Sequence, residues 1–178
     1  GSNLGLRKGS ARNYSLDATY TFSEAWQATA WFSRNETHID QTSSNPATDN
    51  GFREVWSANL QDIGTSFGLD INGKITEKLE TGANLLYSDF TNKFNQKVTL
   101  DPQTNTVPNI STQYSSLRFY AKYDVRKNLG LRLDYIFDHF KTNEWTWRNW
   151  TYTDGTTLTQ DTSQMASFIF LSALYSWQ

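Results

Sequence analysis

Side-chain polarity alternates with a period of two along nearly the whole chain, which restricts it to strands. In RNYSLDATYTF, Tyr14, Leu16, Ala18, Tyr20 and Phe22 alternate with Ser15, Asp17, Thr19 and Thr21. EAWQATAWFS places Trp26, Ala28, Ala30 and Phe32 on one side. In DIGTSFGLDINGKI, Ile63, Phe67, Leu69, Ile71 and Ile75 oppose Asp62, Ser66, Asp70, Asn72 and Lys74. ETGANLLYSDF keeps the pattern less cleanly, whereas SLRFYAKYDV and LGLRLDYIFDHF keep it well. The last run, ASFIFLSALYSW, is apolar on both sides. This predicts seven strands and no helix.

The connections alternate short and long. Strands one and two join around Ser23-Glu24-Ala25, three and four around Thr76-Glu77-Lys78, five and six near Lys127-Asn128. Between these hairpins lie long polar stretches, 35–60, 92–112 and 142–162. Short turns at one end and long loops at the other are the layout of an outer-membrane barrel. Composition agrees: aromatic residues make up 15 % of the chain although mean hydropathy is −0.64. One face of each barrel strand meets lipid while the other stays polar, so mean hydropathy misleads. No run approaches the roughly 18–20 apolar residues of a membrane helix. The fold class expected is all-β, an antiparallel transmembrane β-barrel with short periplasmic turns and long extracellular loops, in the outer membrane of a Gram-negative bacterium.

Single-chain bacterial barrels normally have an even strand count, and the first strand would start on the loop side. The chain is therefore expected to be the C-terminal part of a larger barrel, unless NLGLRKG supplies the end of an eighth strand. Residues 1–11 are expected as a loop or tag-derived start, and 12–178 as the strands and loops of a single barrel segment.

Other classes fit poorly. A net charge of −2 without a charge run argues against nucleic acid as a partner. The absence of cysteine excludes a disulfide framework or a Cys-based metal or redox site within the chain. Asp40, Asp49, Asp101 and Asp161 lack the spacing of a calcium loop. An outer-membrane enzyme would need a base and a nucleophile in reach of each other. His139 is the candidate base, sharing the side of Phe137 with Asp138 on the other, and nothing marks a nucleophile. It reads as an interfacial histidine, and no catalytic, metal or directly bound cofactor residues are assigned.

The two strand faces differ in their expected neighbours. Phe67, Leu69, Ile71, Leu117, Phe119, Tyr123, Leu131, Leu133, Tyr135 and Phe137 are expected to face lipid. Charges on the other face are expected to form lumen-facing pairs. Opposite charges across an antiparallel pair help by roughly 0.2–1 kcal/mol and like charges cost. Strands five and six are therefore predicted to pair Asp124 with Arg132, Lys122 with Asp134 and Arg118 with Asp138. Strands three and four should pair Lys74 with Glu80, setting Gly68 opposite Leu86 and Gly64 opposite Phe90. Mutual neutralisation suggests an ion-paired wall packing against a plug or cargo more than a selective pore lining.

Two long runs carry a family resemblance. WSANLQDIGTSFGLDINGKITEKLETGANLLYSDF is the first; PNISTQYSSLRFYAKYDVRKNLGLRLDYIFDHFKTNEWTWRNWTYTDGTT, with the closing YSWQ, is the second. Together they resemble the MtrB/PioB family of decahaem-associated outer-membrane barrels, from about Tyr14 to Gln178. The Phe-Lys-Thr-x-x-Trp-Thr-Trp step, the Asp-Gly-Thr-Thr turn and the terminal Trp-Gln resemble the family's C-terminal end. The resemblance implies a sheath through the outer membrane around a periplasmic multihaem c-type cytochrome, commonly meeting an outer-surface cytochrome. Electrons would thereby cross the bilayer, to or from extracellular donors and acceptors. Haem would be carried by the partner, and this chain has no Cys-x-x-Cys-His. Family members are several times longer, so the resemblance also implies a C-terminal portion. The alternatives are a small outer-membrane pore or ligand-binding barrel without a cytochrome, and a soluble β-domain.

The stretch NEWTWRNWTYTDGTT holds Trp145, Trp147, Trp150 and Tyr152. A tilted barrel strand crosses the hydrocarbon in about 9–11 residues, and Leu129–His139 already supplies them. The stretch should therefore stand outside the membrane as a long protruding hairpin with a two-residue Asp154-Gly155 turn at its tip. A change of side-chain parity between Trp147 and Trp150 predicts a bulge or twist near Arg148-Asn149. These aromatic residues would stiffen the hairpin or offer an outer contact surface.

Overall fold

The computed structural model describes residues 5–45, 54–98, 107–146, 150–158 and 161–177. Its strands are β1 (Gly5–Ser23), β2 (Trp26–Asn45), β3 (Glu54–Thr76), β4 (Leu79–Val98), β5 (Val107–Arg126), β6 (Leu129–Thr142), β7 (Trp150–Thr151), β8 (Thr157–Leu158) and β9 (Ser163–Tyr175). Seven of them form one sheet in the order β1-β2-β3-β4-β5-β6-β9, every neighbour antiparallel, and β7 and β8 form a separate hairpin. The predicted seven strands and the all-β class are observed.

Three two-residue turns, Glu24–Ala25, Glu77–Lys78 and Lys127–Asn128, close the hairpins at one end. The side chains before the first two hold them. Ser23 Oγ accepts the Ala25 N–H at 3.3 Å, and Thr76 Oγ1 accepts the N–H groups of Lys78 and Leu79 at 3.3 and 3.0 Å. All three hairpins carry a register shift on the strand entering the turn, between Thr21 and Ser23, Lys74 and Thr76, and Asp124 and Arg126. One extra residue at that point fixes which residues face each other for the rest of the hairpin.

That rule decides both predicted registers. In β3–β4 it pairs Lys74 with Glu80, Gly68 with Leu86 and Gly64 with Phe90, as expected. In β5–β6 it overturns the prediction. Lys122 faces Arg132, Asp124 faces Gly130, Tyr120 faces Asp134, Arg118 faces Ile136 and Ser116 faces Asp138. The predicted pairs would need the extra residue on the strand leaving the turn. Backbone geometry at Lys127–Asn128 outranks side-chain attractions of a few tenths of a kcal/mol each.

The strands are longer than expected. Much of the stretches 35–60 and 92–112, predicted as loops, is strand, since β2 runs to Asn45, β3 starts at Glu54, β4 runs to Val98 and β5 starts at Val107. Residues 5–11, predicted as a loop or tag-derived start, belong to β1, where Arg7 Nε donates to Thr42 Oγ1 at 2.6 Å. They continue β1 and are not the end of an eighth strand.

One sheet face carries a continuous apolar band. Its upper edge runs through Tyr14, Phe32, Phe67, Tyr87, Leu117, Phe137 and Ile169, its lower edge through Phe22, Trp26, Ile75, Leu79, Val125, Leu129 and Trp177. Direct partners starting at Tyr14 lead instead through Arg34, Thr65, Asp89, Gln113 and Lys141 to Ser163. On β9 the band thus begins six residues nearer the turns than the row from Tyr14 would put it, after six strand-to-strand steps. One residue of offset per strand, about 3.3 Å over about 4.8 Å, corresponds to a tilt of about 35°. At that tilt, nine residues such as Leu117–Val125 span about 22 Å, close to the apolar height of a membrane barrel.

No second layer covers this band among the described residues. Leu16 is 71 %, Ile169 73 % and Leu171 76 % exposed, and Ala58 is the only buried hydrophobic residue among those described. A single sheet cannot hide such a surface from water; lipid can. Above the band the wall continues unevenly. β2 extends thirteen residues past Phe32 to Asn45, whereas β6 ends five residues past Phe137 at Thr142.

Candidate functional site

The other face of the sheet is the candidate site. Its aromatic side chains meet glycines that are their direct cross-strand partners. Gly64 faces Phe90, Gly68 faces Trp31 and Gly82 faces Tyr120. A Cβ on Gly64 would lie 2.7 Å from the Phe90 ring, and a Cβ on Gly68 or Gly82 would overlap the Trp31 or Tyr120 ring. The rings therefore lie over bare backbone instead of standing off the wall. Gly68 faces Leu86 on one side as predicted, but its free space is filled by Trp31 from the other.

Tyr120 builds a layered cluster. One ring face covers Gly82, and the Arg132 guanidinium lies 4.3 Å from the ring centroid. The phenol hydroxyl donates to Glu80 at 2.9 Å. Arg132 in turn donates through Nε and Nη2 to Asp134, with a closest approach of 2.7 Å. A planar guanidinium can stack and pair at once, which an ammonium cannot.

Among the described residues, the ion pairs of this face run along strands. Lys122 Nζ lies 3.6 Å from Asp124, and Arg132 is paired with Asp134 two residues on. Each cation of the facing Lys122–Arg132 pair thus has its own carboxylate. Residues two apart share a face, so the like-charge contact is tolerated. Asp138, expected opposite Arg118, accepts hydrogen bonds from Tyr114 Oη at 2.9 Å and Ser116 Oγ at 2.6 Å. Lys74 and Glu80 are opposite each other, but the ion pairs within 4 Å among the described residues are Arg34–Glu36, Lys122–Asp124 and Arg132–Asp134.

Hydroxyl and amide ladders complete this face. Thr19 meets Thr29 at 2.9 Å, Ser66 Oγ donates to Ser88 Oγ at 2.9 Å, and Asn92 Nδ2 donates to Asp62 at 2.7 Å. The Gly82–Tyr120–Arg132 stack was not foreseen from the sequence. Its signal was present: an aromatic residue and a glycine in register on the polar face of adjacent strands.

The tryptophan-rich segment is built differently from its prediction. β6 stops at Thr142, and the chain then clasps the start of β5. The Asn143 N–H donates to Ser111 O at 3.0 Å, Asn143 Oδ1 accepts the Ser111 N–H at 2.5 Å, and Trp145 Nε1 donates to Pro108 O at 3.0 Å. A continuous long hairpin is thus replaced by this clasp and the short β7–β8 hairpin. Its loop has three residues, Thr153-Asp154-Gly155, instead of two. Gly155 N–H donates to Tyr152 O at 3.0 Å, Tyr152 N–H to Thr156 O at 2.8 Å, and Gly155 has φ +85°. This is a type I turn with a glycine bulge. Asp154 accepts the Thr156 N–H at 2.9 Å, and that bond holds its carboxyl below the usual range. Tyr152 is exposed. Trp147 and the predicted bulge at Arg148-Asn149 lie outside the described residues.

His139 sits on the apolar-band side, opposite Ser115 and Met165, with Nε2 3.1 Å from Ser163 Oγ. Asp138 points to the other face, so no carboxylate on that strand orients the ring. Among the described residues no three His, Cys, Asp or Glu side chains gather as a metal site.

The arrangement is a tilted antiparallel wall with one lipid-compatible band and one flat, neutralised polar face. No curated protein matches the chain. The family described as outer membrane beta-barrel porin, MtrB/PioB, matches residues 1–177. The chain belongs to this MtrB/PioB family of porin-like barrels of the Gram-negative outer membrane.

Proposed function

We propose that this wall is part of a sheath around a periplasmic multihaem c-type cytochrome and so supports electron transfer across the outer membrane. The polar face lines the lumen, with Arg118, Lys122, Asp124, Arg132, Asp134, Asp138, Lys74 and Glu80 on it. The apolar band, including Phe67, Leu69, Ile71, Leu117, Phe119, Tyr123, Leu131, Leu133, Tyr135 and Phe137, meets lipid. The observation that carries the reading is the flatness and neutrality of the inner face. Rings laid over Gly64, Gly68 and Gly82, and Lys122 and Arg132 each paired along its own strand, suit close packing against a protein cargo. An open aqueous channel gains nothing from clearing its wall in this way.

Two further observations support it. β1 and β9 both run from the loop end toward the turn end, so they cannot close antiparallel on each other. An all-antiparallel barrel then needs an odd number of additional strands, which agrees with a larger barrel whose lumen holds a cargo. The chain itself has no cysteine for thioether attachment, so haem would belong to the partner. An outer-surface cytochrome would meet the loop end, where Trp145 and Tyr152 are exposed.

Affinity purification from native membranes followed by haem staining tests the reading. A haem protein that co-purifies is expected. Its absence from membranes in which the barrel is expressed and folded would contradict the sheath and favour a small pore or ligand-binding barrel. The porin description of the family favours that second reading, and ion conductance of the isolated protein in a planar bilayer would support it.

A further inference from the structure

The charges just above the apolar band are divided by face. On the band's own side, within six residues of its upper edge, stand Lys8, Arg12, Arg34, Lys93 and Lys141 against Glu36 and Asp89, with Asp40 directly opposite Lys8. At the same height on the opposite face the charged residues are Asp62 and Asp138, with no lysine or arginine. The turn end shows a smaller excess, since Glu24 and Glu77 stand against Lys78, Arg126 and Lys127. Register alone does not require this division. Both faces above the band are polar, and either could have carried the cations.

The densest part lies on β1–β2. Tyr14 faces Arg34, and Arg12 faces Glu36, so the two arginines are diagonal neighbours immediately above the band edge. Arg34 Nε and Nη2 both donate to Glu36 Oε1, at 2.9 and 2.7 Å, which leaves its other nitrogen available. His38 follows on the same face, with Nε2 3.2 Å from Gln61 Nε2. Arg34 and its neighbours hold the Glu36 carboxyl below the usual range. One carboxylate between two guanidinium groups leaves an excess of positive charge.

We infer that this collar binds the phosphate groups of an outer-leaflet glycolipid of the lipid A type, with Arg12 and Arg34 as the principal contacts. Guanidinium groups bind phosphate through paired, charge-assisted hydrogen bonds. Basic residues beside a bilayer surface contribute about 1 kcal/mol each toward anionic headgroups. The position fits the lipid source. Arg12 and Arg34 lie one side-chain step, about 7 Å of strand, above Tyr14 and Phe32, the depth of a headgroup phosphate and not of the aqueous loops. The inference rests on the outward orientation of the band and loops proposed above, but not on any cytochrome.

The test uses the full chain reconstituted in phosphatidylcholine vesicles, without cytochrome, titrated with fluorescent bisphosphorylated lipid A and with its dephosphorylated form. The phosphorylated lipid should bind better, and Arg12→Gln with Arg34→Gln should weaken it about tenfold. Glu36→Gln should instead tighten binding about threefold, a gain that misfolding cannot mimic. Equal binding of both lipids would overturn the inference. So would competition by millimolar inorganic phosphate, which would mark an anion site and not a lipid site. A loss produced by Arg118→Gln and Lys122→Gln, with none from Arg12 and Arg34, would place lipid on the opposite face and overturn the orientation as well. Haem co-purification is read in a separate preparation, so the two proposals fail independently.

Discussion

The β3–β4 and β5–β6 hairpins have the same turn length and the same extra residue before the turn, yet their charges meet in opposite ways. In β3–β4, Lys74 lies opposite Glu80; in β5–β6, Lys122 lies opposite Arg132. The backbone is indifferent to the contrast. What differs is where each charge is satisfied. Glu80 takes the Tyr120 hydroxyl, while Lys122 and Arg132 each use a carboxylate two residues along their own strand. Turn geometry therefore sets the register, and in β5–β6 same-strand spacing then neutralises the two cations it brings together. A wall built this way tolerates charge substitutions on its inner face as long as each strand balances itself.

The largest way to break the comparison is to act on the backbone contact that links the two hairpins. Gly82→Val would push the Tyr120 ring off β4 and carry Arg132 with it. A loss of about 2–3 kcal/mol is expected, measured by urea unfolding in lipid vesicles, with partial recovery in a Gly82→Val, Tyr120→Ala double variant. Full stability of the single variant would show that the flat ring is not needed.

Next in size is the inequality between the two facing cations. Arg132→Ala removes a paired, stacked guanidinium and should cost about 1–1.5 kcal/mol. Lys122→Ala removes an exposed contact of 3.6 Å and should cost under about 0.5 kcal/mol. Equal losses would mean that the stack on Tyr120 contributes nothing.

A smaller effect carries a sign. In an Asp124→Asn, Glu80→Gln background, Lys122→Glu should stabilise by about 0.5 kcal/mol, because the new carboxylate faces Arg132 on β6 and no longer meets the Glu80 carboxylate on β4. Were β5 and β6 one residue pair out of step, the same change would face Asp134 and destabilise.

The smallest effect lies at the β7–β8 tip, which neither hairpin governs. The Asp154 carboxyl is held below its ordinary value of 3.8 by the Thr156 N–H. A folded value below the unfolded one contributes stability above about pH 3.8 that is lost as pH falls through the folded value. Amide exchange at Gly155 should therefore quicken, relative to the pH trend of exposed amides, only in that acid range. Asp154→Asn should remove most of this dependence while keeping the turn.

These contrasts also show what the sequence could reveal. The turns at Glu24–Ala25, Glu77–Lys78 and Lys127–Asn128 were legible, because alternation stops there and resumes on the next strand. Lys74–Glu80 was legible because its charges and its turn agree. The β5–β6 register is not legible because there they disagree: the attraction of Asp124 for Arg132 favours one register, and the extra residue before the turn fixes another. Strand ends were lost for another reason. Beyond Phe32, Arg34, Glu36, His38 and Asp40 alternate with other mainly polar residues, so a strand leaving the hydrocarbon carries no apolar period. The Trp145 clasp on β5 depends on a backbone carbonyl, that of Pro108, which side-chain patterning does not register.

Because these 178 residues contain no cysteine, engineered pairs within them report the register directly. Lys122→Cys combined with Arg132→Cys should cross-link with a short thiol reagent in the membrane-inserted protein, and Lys122→Cys combined with Asp134→Cys should lag far behind. Preferential cross-linking of positions 122 and 134 would contradict the turn-set register, and with it the account of how the inner face is made flat and neutral.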